Sequence, residues 1–168
     1  AAWLAAALCL LCACAPKGAG EPLRYDLPAA PDTLDPQYAG DDAARLVLAN
    51  TFEGLVRLSE DNLLQPGCAE RWEVSKDALT WTFFLRDGLQ WSNGSDLTAK
   101  DFVFGLRRLF MPAGGAPAAQ GFLSVQNAGE ILEGKLGASA LGVEAPDDNT
   151  VVIRLARPDA SLLWLLAQ

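Results

Sequence analysis

Four aspartates, Asp32, Asp35, Asp41 and Asp42, crowd the stretch "PDTLDPQYAGDD". Two carboxyl groups at a suitable separation are the working parts of many hydrolases, one giving a proton while the other activates water, so a secreted hydrolase with paired carboxylates is one reading of them. The same residues are also ordinary formers of turns and helix caps, because an aspartate side chain accepts hydrogen bonds from the backbone amides just ahead of it. A second polar group, Ser92, Ser95, Lys100 and Asp101, lies in "WTFFLRDGLQWSNGSDLTAKDF" and lacks the usual base. The chain contains no histidine, which removes the Ser-His-Asp and Cys-His arrangements and the commonest metal ligand.

Three of the four cysteines fall in the opening run "AAWLAAALCLLCAC". That run is too short to cross a bilayer as a helix and has the length of a secretory signal's apolar region. Its end, Leu11-Cys12-Ala13-Cys14, resembles the lipobox of bacterial lipoproteins, in which the chain is cut on the amino side of a cysteine whose thiol carries a diacyl group. The resemblance implies that residues 1–13 are a signal, that Cys14 is the lipidation site, and that two acyl chains hold the protein on the membrane. "APKGAGEP" then reads as a flexible tether over 14–21. Cys68 is left alone, so neither an internal disulfide nor a multi-thiolate metal site is expected, and no cofactor or metal is called for.

The 168 residues carry a formal net charge of −8, and the sequence pI is about 4.4. Binding to nucleic acid needs a concentrated basic surface, and here the basic residues are scattered apart from Arg107-Arg108, so nucleic acid is not a partner.

The elements that must position these residues alternate between short strands and helices. "LRYDLP" reads as a strand, and Pro36 holds Asp35 in extended backbone. From Asp42 the apolar residues Ala44, Val47, Leu48, Thr51, Phe52 and Leu55 recur at helical spacing, with Asp41 or Asp42 as the cap. "LVRLSEDNLLQP" reads as a hairpin. Trp81, Phe83 and Leu85 alternate with Thr82, Phe84 and Arg86, which predicts a strand buried on one face. Asp87-Gly88 turns it into a second short strand, Leu89 to Trp91, and Asn93-Gly94 makes another tight turn. "TAKD" has the spacing of a helix-capping box, and Ala99, Phe102, Val103, Leu106, Leu109 and Phe110 would form the core face of the helix after Thr98. "MPAGGAPAAQGF" reads as a surface loop. Every polar residue of the second cluster thus has a turn or a cap to make.

Taken together, "TLDP" at Thr33 to Pro36, "FEGL" at Phe52 to Leu55, "AERWEVSKDALTWTFFLRDGLQWSNGSDLTAKDF" at Ala69 to Phe102, and "LGVEAPDDNTVVIRL" at Leu141 to Leu155 resemble, in order and spacing, the extracellular solute-binding proteins of bacterial ABC importers for oligopeptides, dipeptides and nickel. The apolar segment "RPDASLLWLLAQ" extends the resemblance to the last residue.

That resemblance implies an α/β (α+β) fold, the type II periplasmic-binding-protein architecture, present in part. Residues 22–48 would begin ligand-binding lobe I, 49–155 would make a small α+β domain, and 156–168 would return into lobe I. The chain is expected to be a piece of a longer protein that lacks the second lobe and hinge, leaving the apolar face of 156–168 uncovered. The implied function is capture of extracellular oligopeptides or similar small ligands and delivery to the membrane subunits of an ABC permease, without catalysis, from an extracytoplasmic position on the bacterial membrane. The segment following "TLDP", Tyr38, Ala39, Gly40, Asp41 and Asp42, would run beside the ligand and offer it backbone hydrogen bonds. In several peptide-binding members a tyrosine follows the proline of the 111–122 loop and touches the ligand; that position here is Ala118.

Overall fold

The computed structural model describes residues 24–27, 29–111 and 116–167. The signal, Cys14 and the tether lie outside them. Residues 24–27 carry no regular structure, against the expected strand: an extended segment becomes a strand only when another takes up its amides and carbonyls, and none of the described strands lies beside it.

Helix α1 spans Asp42–Thr51. A hairpin follows, β1 (Val56–Leu58) against β2 (Leu64–Pro66), with Leu58 opposite Leu64 across the Ser59-to-Leu63 turn. The chain then builds a four-stranded antiparallel sheet from β3 (Ala69–Val74), β4 (Thr80–Leu85), β5 (Val143–Glu144) and β6 (Thr150–Arg154), in the order β3-β4-β6-β5. β4 alternates as expected: Trp81, Phe83 and Leu85 are buried, while Thr82 and Phe84 face the other side. On the inner face Phe83 is flanked by Trp72 and Trp81, each with its ring centroid 6.5 Å away. On the outer face the Arg71 guanidinium lies 3.6 Å from the centroid of the half-buried Phe84 ring, a cation–π contact.

Helix α2 (Ala99–Arg108) covers the inner face. Its start is fixed by the capping box: the Asp101 carboxylate accepts from the Thr98 amide at 2.8 Å and from the Thr98 hydroxyl at 3.0 Å. Ala99, Val103, Leu109 and Phe110 are buried, and Phe102 and Leu106 pack half-buried against the same core. Leu89 to Trp91 does not extend the sheet. It folds back on itself through a Gln90–Asp96 bridge, closed by Gly94 at φ 84°, because Asp87-Gly88 turns the chain away before it can pair with β4.

The segment expected as a surface loop is partly core. Pro117–Phe122 forms a 3₁₀ turn, and Ala116 at its cap is buried with Ala119 and Phe122 inside it. Residues three apart eclipse in a 3₁₀ helix, so these three form one apolar stripe. Helix α3 (Ala128–Leu132) and a short 3₁₀ turn, Ala138–Ala140, lead into β5. Helix α4 (Leu162–Leu165) ends the described chain. Its apolar face is not left bare: Leu162 and Leu166 are buried in the common core, and Trp164 stays exposed.

Candidate functional site

The segment from Thr33 to Asp42 is built around Asp35. The Thr33 hydroxyl accepts from the Asp35 amide at 3.1 Å, and the Asp35 carbonyl receives the amides of Tyr38 and Ala39 at 3.0 and 2.9 Å. Pro36 begins the resulting turn with its φ already set. The exposure of successive residues alternates, so Asp35 and Gln37 are half-buried while Tyr38 and Gly40 face solvent.

The inward-facing side chains reach α2. Arg108 forks onto Asp35, with Nη1 at 2.9 Å from Oδ1 and Nη2 on Oδ2. Gln37 Nε2 donates to the Gly105 carbonyl at 2.7 Å. The Arg108 guanidinium holds the Asp35 carboxyl below the usual carboxylate range.

Asp41, one of the two expected caps, is the one used: Oδ1 accepts from the Ala44 amide at 2.8 Å and Oδ2 from the Asp32 amide at 3.2 Å. These amides, the Ala44 bond foremost, hold its carboxyl low. Asp42 is free of the cap, nearly fully exposed, and 3.6 Å from Arg45 in a loose ion pair. An acid catalyst needs a carboxyl whose pKa is raised so that it keeps a proton near neutrality, and Asp35 and Asp41 are shifted the opposite way.

Tyr38, Gly40 and Asp42 therefore face solvent with Ala39 half-buried between them, and Asp41 is drawn into the helix cap. The amides of Tyr38 and Ala39 are committed to the turn. The carbonyls of Tyr38, Ala39 and Gly40 accept no backbone hydrogen bond among the described residues, so the strip presents acceptors.

In the second polar cluster Ser95 and Asp101 go into a turn and a cap as expected, whereas Lys100 goes into an ion pair instead. The Asn93 side chain accepts from the Ser95 amide and hydroxyl at 3.0 and 2.8 Å, and Lys100 pairs with Asp148 at 2.7 Å. Cys68 is buried, with its thiol pushed up by burial, and behaves as a small apolar residue. Ala118 is exposed on the 3₁₀ turn. No group of three or more metal-ligating side chains exists among the described residues, and none of their helices is long and apolar enough to cross a membrane.

Arg108 and Gln37 were not singled out from the sequence. Their only signals were the Arg107-Arg108 pair, which reads as the cations favoured at a helix C-terminus, and a glutamine within the "DPQY" turn.

Comparison with known proteins bears on what this arrangement serves. Residues 64–168 match the model of the bacterial extracellular solute-binding proteins, family 5, middle region. The chain is 44% identical over 132 residues to the periplasmic oligopeptide-binding protein OppA of Haemophilus influenzae, covering 77% of this chain and 24% of that protein. It is 40% identical over 147 residues to the probable deoxycholate-binding periplasmic protein YgiS of Escherichia coli, covering 86% of this chain and 27% of the other. Among solved structures, Haemophilus influenzae OppA in complex with RPPGFSPFR aligns with a TM-score of 0.77 at 42% identity, covering 83% of this chain and 28% of that one. Listeria monocytogenes OppA bound to peptide aligns at 0.79 and 34% identity, with the same coverage. The chain thus spans about a quarter of the length of the relatives it matches.

Proposed function

The chain belongs to the family 5 bacterial extracellular solute-binding proteins, with the type II periplasmic-binding-protein fold present in part, and on that premise we propose that the complete protein captures an oligopeptide outside the cytoplasmic membrane and hands it to the transmembrane subunits of an ABC permease without catalysis. In this reading residues 22–48 and 156–168 belong to ligand lobe I and 49–155 to a small α+β domain. Cys14 carries the lipid anchor that keeps the protein at the extracytoplasmic face of the membrane.

The observation that carries the proposal is the acceptor strip at Tyr38 to Gly40 with Asp42 beside it. A peptide brings backbone N–H donors and a cationic amino terminus, and carbonyls beside the exposed, loosely paired Asp42 carboxylate complement both whatever the side chains are. The strip contributes acceptors rather than the amides of Tyr38 and Ala39, which the turn has used. The paired-carboxylate hydrolase is the weaker reading, because Asp35 and Asp41 are tied up as charged acceptors.

Calorimetry of the full-length protein against a mixed tri- to pentapeptide pool, followed by mass spectrometry of the recovered pool, tests this. Saturable binding at micromolar concentration or tighter, with the peptides intact, is the expected result. Cleaved peptides would establish the hydrolase instead. The identity to a probable deoxycholate-binding protein makes deoxycholate the informative second titrant: binding of deoxycholate with no binding of peptide would overturn the ligand class while leaving the fold assignment untouched.

A further inference from the structure

The Asp35–Arg108 fork and the Gln37–Gly105 bond join residues 73 and 68 positions apart in sequence, and both land on the last turn of α2. From these contacts we infer that Arg108 is a positioning residue for ligand binding: by gripping Asp35 it fixes the orientation of the turn that presents Tyr38 to Asp42, with Gln37 as its second point of attachment. This rests on the proposed role of Tyr38 to Asp42 at the ligand.

The geometry is that of a clamp. A bidentate guanidinium–carboxylate pair fixes the plane of both partners as well as their distance, which a lysine ammonium cannot do. Gly105 and Arg108 are three residues apart on the helix, about 4.5 Å along the axis, so two separated attachments prevent the turn from swivelling about either. Asp35 joins this clamp to the strip through a single residue. Its carboxylate is held by Arg108, its Oδ1 also accepts from the Gln37 amide at 3.2 Å, and its carbonyl holds the amides of Tyr38 and Ala39. The carboxylate and the backbone carbonyl of one residue thus tie the clamp to the turn, so a displacement of the Asp35 backbone is passed to the acceptor strip.

Helix α2 is a fit support, because its other face is built into the core through Ala99, Val103 and the residues that follow it. The ion pair is partly exposed, with side-chain exposures of 39% and 29%, and pairs of that kind contribute little to global stability. Orientation is what remains for it to supply. Without it the turn still closes on the Asp35 carbonyl, but its strip samples several orientations, and apparent affinity falls with the fraction that remains competent.

The test uses the full-length protein and the same tri- to pentapeptide pool, with Arg108→Gln, Asp35→Asn, their double variant and Asp42→Asn. Peptide Kd is measured alongside amide hydrogen exchange at Tyr38 and Ala39, with Trp81 to Leu85 of β4 as an internal reference. Arg108→Gln and Asp35→Asn should each weaken binding about tenfold, the fraction effect described above, and the double variant should be no worse than either alone. Exchange should quicken at Tyr38 and Ala39 and stay unchanged in β4.

A Kd within twofold of wild type in Arg108→Gln, strictly additive losses, or equal loss of protection in β4 would each overturn the inference. Asp42→Asn, which removes the strip's carboxylate, separates the two readings. If it weakens binding while Arg108→Gln does not, the clamp alone is wrong; if neither does, the strip is not at the ligand and the site itself is misplaced.

Discussion

The backbone of Gly54 abuts the carbonyl of Leu166 so closely that a Cβ at position 54 would overlap its oxygen and would also stand 2.9 Å from the Val56 carbonyl oxygen. A side chain there cannot be relieved by a rotamer change, because both obstructions are backbone. Gly54→Ala should therefore destabilise the protein by at least about 1–3 kcal/mol, the usual cost of overpacking. Gly40→Ala, whose Cβ would meet nothing within 4 Å, should change stability by less than about 0.5 kcal/mol, as for other open surface sites. Urea titration of both variants decides it, and equal midpoints would mean that α4 does not dock on Gly54.

Three phenylalanines grade the core. Phe83 is fully buried under the sheet's inner face, Phe102 half-buried on α2, and Phe104 60% exposed on the same helix. Truncation to alanine should cost about 3–5 kcal/mol at Phe83, less at Phe102, and under about 1 kcal/mol at Phe104. Chemical denaturation reads the order, and Phe104→Ala as costly as Phe83→Ala would reverse the assigned face of α2.

Acid should dissolve the Asp35–Arg108 and Glu144–Arg154 ion pairs. Arg108 lowers the pKa of Asp35 and Arg154 that of Glu144. A depressed folded-state pKa contributes stability above the unfolded pKa, about 4 for carboxylates, and loses it as pH falls through the lower folded value. The stability difference between wild type and Asp35→Asn should thus be constant above about pH 5 and shrink below about pH 4. Thermal melts across pH 2.5–7 measure it; a difference that grows toward acid would contradict the assigned pair.

Cys14 should take up lipid. Cells fed a clickable palmitate analogue should label the wild-type protein and not Cys14→Ala, and the wild type should sediment with membranes. Undiminished label on Cys14→Ala would place the anchor elsewhere.

What sequence alone determined about this protein was whatever is encoded between near neighbours. The α2 cap was legible because Thr98 and Asp101 meet within one turn, and the buried face of β4 because side chains on a strand alternate. The tight turn at Gly94 was legible because glycine tolerates a positive φ. The run of motifs was specific enough to name the family, since their order does not depend on how the elements pack.

Tertiary structure alone decided the pairings that chain proximity does not constrain. β4 lies between β3 and β6, and Trp81 sits opposite Ile153. Ala116, Ala119 and Phe122 became a core stripe because the chain tightened to three residues per turn, a period that their low-complexity surroundings did not announce. The choice of Asp41 over Asp42 as the cap required the helix start itself. Arg108 was hidden for the same reason. Its chemistry depends on a carboxylate 73 positions away, and a charge at a helix end has the same local signature whether it faces water or grips the turn that presents a binding strip.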